Sequence, residues 1–219
     1  MKTRKQYDQE LHRLKQSLYH MGQKVSEALK GAITALQNQD EELAERIVAG
    51  DHLINQMEED IEEAIVRIIT REQPVASDLR QLIAALKITT SVERIGDFAV
   101  DIAKTAKRVK QTDLIDSISS FPLMIDTVHK MIQAGLEAYV DNDAELAHEM
   151  AKMDDHVDKM YSQIVQSLMQ RMIENPDELE HVLQLAYVAR YFERMADHCT
   201  NIGEAVLYIV KGKRLDLNQ

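Results

Sequence analysis

Apolar residues recur at threes and fours along most of this chain, the period of an amphipathic helix packed on one face. Leu11, Leu14, Leu18, Met21, Val25, Leu29, Ala32 and Leu36 form the first such stripe, predicting a helix from about Tyr7 to Leu36. Gly22 and Gly31 interrupt its composition without breaking its period, which suggests close helix approach. Asp40 then reads as an N-cap, with Glu41 and Glu42 suited to the positive end of a helix dipole. The second helix carries Leu43, Ile47, Ile54, Met57, Ile61, Ile65 and Ile68 and runs to about Thr70. Gln73-Pro74 breaks it, and Ser77 is expected to cap a third helix to about Lys110.

Gln111 to Ser120 is polar and reads as a linker. A fourth helix starts near Pro122 and ends around Asn142. Asp143 caps a fifth, continuous to about Glu174. Asn175-Pro176-Asp177-Glu178 opens the sixth with Asn as cap and Pro at the first helical position.

The second three helices repeat the first three. Asn38-Gln39-Asp40-Glu41-Glu42-Leu43-Ala44 matches Asp141-Asn142-Asp143-Ala144-Glu145-Leu146-Ala147. At the same offset Asp51 and Asn55 fall on Asp154 and Asp158. After a slightly shorter connection, Ile88, Val92, Ile95, Ala99 and Ile102 align with Val188, Phe192, Met195, Cys199 and Ile202, a 4-3-4-3 seam typical of helix bundles. The expected fold is all-α: two tandem three-helix bundles related by internal duplication, residues 1–111 and 112–219. Most of the helices approach 30 residues, or about 45 Å.

Composition narrows the function. Seven Gly and three Pro agree with a helical chain. The net charge of −11 argues against nucleic acid or an anionic membrane surface as partner and suits cations or a basic protein surface. Cys199 is the one cysteine, so no disulfide forms within the chain, and a reducing compartment is expected. The charged start through Lys5 lacks the apolar run of an export signal. No apolar stretch approaches the roughly 20 residues that span a bilayer. The expectation is a soluble cytosolic protein with no direct membrane insertion.

The candidate chemistry lies opposite the seam. Glu93, Asp97 and Asp101 stand four apart on the third helix, and Glu193, Asp197 and Asn201 repeat them on the sixth. Residues four apart share a helix face about 6 Å from one another, where like charges repel. A single such ladder is ordinarily a solvated face. Here a second ladder keeps register with it on the neighbouring helix, Asp51 and Asn55 in the first half and Asp154 and Asp158 in the second. If consecutive helices run antiparallel, each half brings together four acids and one amide. Oxygen-only ligand sets suit Mg, Mn, Ca or iron ions, and the metal is left open. Arg94 and Arg194, inside the motifs, read as structural ion-pair partners, and Cys199 as buried packing. Glu145-x-x-His148 and Glu178-x-x-His181 resemble halves of a di-metal motif, but antiparallel helices put them at opposite ends, too far apart to share one site. No nucleophile–base set or glycine-rich phosphate loop occurs, so catalytic residues are not expected.

These features together resemble the PhoU family. The likeness rests on Glu93-Arg94-Ile95-x-Asp97 and Glu193-Arg194-Met195-x-Asp197, on Asp51-x-x-x-Asn55 and Asp154-x-x-x-Asp158, on Met21-Gly22, Gly50-Asp51, Val66-Arg67-Ile68-Ile69, Gln73-Pro74-x-x-Ser77-Asp78-Leu79-Arg80 and Tyr208-x-Val210-x-Gly212. The resemblance implies a cytoplasmic, homodimeric, non-enzymatic adaptor. Such a protein links a phosphate ABC-transporter ATPase to a membrane histidine kinase and represses the phosphate-starvation response when phosphate is plentiful. It also implies metal clusters on the acidic motifs, carried over to Glu93, Asp97, Glu193 and Asp197, and to Asp51, Asp154 and Asp158. Asp101 extends the first motif, whereas Asn201 replaces an acid in the second. Two other readings stay open: a metal-dependent phosphohydrolase using the same carboxylates, and a structural helical bundle that dimerises through an apolar face.

Overall fold

The computed structural model describes residues 2–109, 115 and 118–217. Its helices are α1 (Lys2–Asn38), α2 (Glu41–Glu72), α3 (Ser77–Ala106), α4 (Ser120–Asp141), α5 (Ala144–Ala151), α6 (Asp154–Glu174) and α7 (Leu179–Lys211). The fold is all-α, with the six-helix, twice-repeated arrangement that the periodicity predicts. The matched seam positions account for the repeat: Ile88, Val92, Ile95, Ala99 and Ile102 on α3 and Val188, Phe192, Met195, Cys199 and Ile202 on α7 are each no more than 2% exposed. Among the described residues, no helix is long and apolar enough to cross a membrane.

α1, α2 and α3 pack on one another, as do α4, the α5–α6 pair and α7, and the halves meet where α3 lies along α7 and α1 touches α4. Phe98 stacks on Tyr191 with ring centroids 5.9 Å apart, while Arg80 lies against Gly212. Contacts that link the start of α3 to the end of α7, and its later part to the middle of α7, make the two antiparallel. The buried cluster runs without interruption from Tyr7 to Val206, so both halves share one core.

Gly22 explains the close approach of α1 and α4. A Cβ there would stand 2.4 Å from a methyl of Leu136. Lys15 fastens the same pair of helices. Though only 9% exposed, its ammonium donates to the carbonyls of Tyr139 (3.1 Å) and Val140 (2.9 Å) and to Asn142 Oδ1 (3.0 Å). It thereby supplies strong donors to carbonyls of the last turn of α4, where the local bond to the Tyr139 carbonyl is a long one from the Asn142 amide at 3.4 Å. Burial holds its pKa below the usual lysine value, with Asp141 opposing.

The caps follow the sequence in part. Asp40 accepts from the amide of Leu43 at 2.9 Å, and Asp143 accepts from those of Glu145 and Leu146. Three expectations need correction. Ser77 is the first residue of α3, not its cap; Ala76 stands at the cap position, with φ of 50° and no side-chain hydrogen bond. Asn175 likewise makes no capping bond. The chain turns through a short 3-10 segment, Pro176–Glu178, held by Arg171 gripping Glu178 at 2.6 and 3.0 Å. The expected fifth helix is interrupted at Lys152–Met153, where Met153 N bonds Met150 O, three residues back, at 3.0 Å. Both residues stay in right-handed helical geometry, so the break tightens the helix locally rather than turning it.

α3 ends at Ala106, earlier than the expected Lys110. Lys107 then ties this end to Glu45 on α2 at 2.7 Å. Most of the expected linker from Gln111 to Ser120, and the boundary between residues 111 and 112, lie outside the described residues. Within that stretch Ile115 is buried and Ser120 already opens α4.

Candidate metal centres

The two acidic ladders face each other across neighbouring helices, as antiparallel packing requires. In the first half, Asp51 of α2 meets Asp97 and Asp101 of α3 in a cleft of about 420 Å3 that also holds Arg94, Lys104 and Arg194. Glu93 lies one turn away, with a side chain only 13% exposed. Burial, then the charges of Asp97, Glu58 and Asp51, push its carboxyl up to about 7, against the pull of Arg94. Asp51 is raised for the same reasons, burial first and Asp97 next, with an Asn55 side-chain hydrogen bond opposing.

The second half repeats this arrangement. Asp154 and Asp158 of α6 and Asp197 of α7 line a cleft of about 330 Å3 with His148, Lys152 and Asp155. Burial and the charges of Asp158, Asp197 and Glu193 push Asp154 up to about 7. Glu193 and Asp197 are also raised, mainly by burial. The break in the fifth helix has a consequence here. It places Asp154 and Asp155 in the first turn of α6, where free amides and the helix dipole favour negative charge.

On the acidic face of each half two buried oxygens have no donor: Asp51 Oδ1 and Asn55 Oδ1 in the first, Asp154 Oδ1 and Glu193 Oε2 in the second. Buried acceptors left unpaired are costly and rare. Hard oxygen donors, crowded and partly buried, fit a divalent cation or iron. The side chains are not gathered into a finished cage. Among the described residues, no three acids, histidines or cysteines converge closely enough to hold one ion as they stand. Internal cations share the charge instead. Arg94 pairs with Asp97 at 2.9 Å and Glu93 at 3.5 Å, Lys104 with Asp101 at 3.1 Å, and Arg190 with Glu193 in a very short contact.

Asn201 stands apart from its expected set. It is exposed and lines a separate groove with Lys87, Thr90 and Arg214. The halves also differ where the repeat fails. Glu58, near Glu93 in the first half, corresponds to Tyr161, which lies under the Arg190 guanidinium at 5.8 Å. Thr90 corresponds to Arg190 itself. The first site thus gains an acid where the second has a tyrosine, and the second gains Arg190 and Asp155 where the first has Thr90 and His52. Glu58, Asp155 and His148 escape the sequence reading, the first because its repeat partner is a tyrosine. His148, in the sequence only half of a di-metal motif, lines the second cleft on its own. Of the motif arginines, Arg94 is an ion-pair partner as expected, whereas Arg194 lies over the Phe98 ring at 4.9 Å, across the boundary between halves. Cys199 is fully buried.

Comparison with known proteins agrees with this architecture. Residues 18–106 and 121–206 each match the PhoU domain. The chain is 37% identical over 217 residues to the phosphate-specific transport system accessory protein PhoU homolog of Clostridium acetobutylicum, covering 99% of each protein. It is 38% identical over 209 residues to the accessory protein PhoU of Escherichia coli K12, covering 95% of this chain and 86% of that one. The crystal structure of PhoU from Pseudomonas aeruginosa superposes with a TM-score of 0.87 at 35% identity, over 94% of this chain and 100% of that one. The phosphate transport system regulatory protein PhoU from Streptococcus pneumoniae gives 0.87 at 29% identity, over 96% and 99%. With both repeats matched and nearly the whole length aligned, the chain belongs to the PhoU family of phosphate transport system accessory and regulatory proteins, which are not enzymes.

Proposed function

We propose that this protein regulates phosphate uptake and phosphate-starvation signalling as a metal-binding adaptor in the cytoplasm. In this reading a homodimer stands between the ATPase of a phosphate ABC transporter and a membrane histidine kinase, and represses the starvation response when phosphate is plentiful. The observation that carries it is the pair of matched acidic faces, each retaining buried oxygens with no donor. The names of the relatives support the link to phosphate transport.

Asp51, Asn55, Glu93, Asp97 and Asp101 would hold a cation in the first half, and Asp154, Asp158, Glu193 and Asp197 in the second. The bound ion would supply positive charge on a face that otherwise repels anions. Without it, the carboxylates repel one another and any phosphate that approaches. Arg94, Lys104 and Arg190 hold part of that charge in place, and a partner's basic surface meets acids already oriented on rigid helices.

Capture of the transporter ATPase and the kinase by the purified protein tests this reading. Glu93→Ala combined with Glu193→Ala is expected to weaken capture at least tenfold while the protein still folds. Unchanged capture by a folded double variant would refute the docking role of these faces.

A further inference from the structure

Away from the acidic faces, α1 and α2 enclose a groove of about 500 Å3, a size suited to small organic ligands. Its character departs from a chain of net charge −11. Arg13 enters it from α1, and Arg67 and Arg71 enter from α2. Arg71 pairs with Glu10 at 3.4 Å. Arg13 and Arg67 are exposed and, among the described residues, have no acid partner.

The duplicated fold does not require the two α2 arginines. The register that sets Asp40 on Asp143 also sets buried Ile54, Ile61 and Ile65 on buried Val157, Ile164 and Leu168. In that register Arg67 falls on Gln170 and Arg71 on Glu174. The second half builds the same helix with no basic residue at either place.

The other groups in the groove select the ligand. Guanidinium forks grip phosphate with paired hydrogen bonds and stack on planar rings. Met57, Ile61 and Ala64, spaced four and three apart on one face of α2, give the groove an apolar floor. Glu10 and Asp60, the latter accepting from Gln56 at 3.0 Å, oppose a ligand that is anionic throughout. They suit one that also carries hydroxyl or amino donors. An anionic end, a flat apolar body and hydrogen-bond donors together describe a nucleoside phosphate. From this juxtaposition of Arg13 and Arg67 with the Met57–Ile61–Ala64 floor and Asp60, we propose that the α1–α2 groove binds a nucleoside phosphate. The site shares no residue with the acidic faces, so its failure would leave the metal-binding reading untouched.

Calorimetric titration of the full chain with ADP, in chelator so that no divalent ion bridges ligand to carboxylate, tests the proposal. Saturable binding is expected, weakened at least tenfold by Arg13→Gln with Arg67→Gln. Both side chains are exposed, and an unchanged melting temperature, or the single Arg67→Gln variant, separates lost binding from lost fold. Adenosine and inorganic phosphate are each expected to bind at least tenfold more weakly than ADP. The proposal is overturned by absence of ADP binding at millimolar concentration, or by equal affinity in the folded double variant. Inorganic phosphate binding as tightly as ADP overturns it in favour of a bare anion site. Binding of a poly-glutamate peptide, with ADP inert, overturns it in favour of an acidic protein partner.

Discussion

Lys15→Ala is expected to destabilise the protein by about 2–4 kcal/mol, the range for breaking a buried set of charge-assisted hydrogen bonds. The substitution removes the ammonium's three N–H donors and leaves their acceptors, the carbonyls of Tyr139 and Val140 and Asn142 Oδ1, facing a gap between α1 and α4. It also removes the ammonium 5.3 Å from the centre of the Tyr139 ring. At this chain length each kcal/mol corresponds to roughly 2–4 °C in melting temperature, so the variant should melt roughly 5–15 °C lower. Lys15→Met restores the aliphatic stem but not the donor and should recover only part of the loss. Urea denaturation of the three proteins measures the difference. A change below about 0.5 kcal/mol, the scale of an ordinary surface substitution, would mean that Lys15 does not fasten the two halves.

Stability of the metal-free protein is expected to fall as pH rises from about 4 to above 7. Glu93 and Asp154 hold their protons up to about pH 7 in the folded chain, whereas free carboxyls lose theirs near pH 4. Between those values the folded state binds more protons than the unfolded state, so the slope of stability with pH is negative. The contribution is fully present below the unfolded pKa and is lost as pH passes the folded one. Both groups retain contact with solvent, and after discounting for screening each accounts for about 1–2 kcal/mol. In chelator the protein should melt several degrees higher at pH 5 than at pH 8, and Glu93→Gln with Asp154→Asn should flatten that slope. An equal slope in wild type and double variant would show that these acids are not raised. The same substitutions should make the chelated protein more stable at pH 8, since they remove repulsion that a cation would otherwise relieve.

Helix periodicity made the fold legible because burial on one face is a local requirement repeated every three or four residues. Ile95 and Met195 announce the seam by spacing alone, and Asp40 and Asp143 announce their caps by the residues that follow. Capping at Ser77 and Asn175 was not legible, since a side chain able to cap does so only where the preceding backbone sets it at the cap position, facing the amides two or three residues on. The break at Lys152–Met153 leaves no Pro or Gly in the sequence to signal it. Repetition revealed Asp51, Asp97, Asp154 and Asp197, and by the same logic concealed Glu58 and Arg190, which differ between halves. Asn201 satisfied the same spacing that keeps Asp101 in the first cleft, yet it lies exposed in a separate groove beside Lys87 and Arg214, which spacing on one helix does not reveal. Arg13 and Arg67 belong to different helices, and only tertiary packing places them in one groove.

Elemental analysis of the untagged protein, beside thermal melts with and without chelator at pH 8, tests the metal-binding adaptor most directly. The expected result is stoichiometric Mg, Mn, Fe or Ca and a melting temperature lowered by chelation, with the loss greatly reduced in Glu93→Gln plus Asp154→Asn. A metal-free protein that melts at the same temperature with chelator, and gains nothing from added divalent ions, would contradict it.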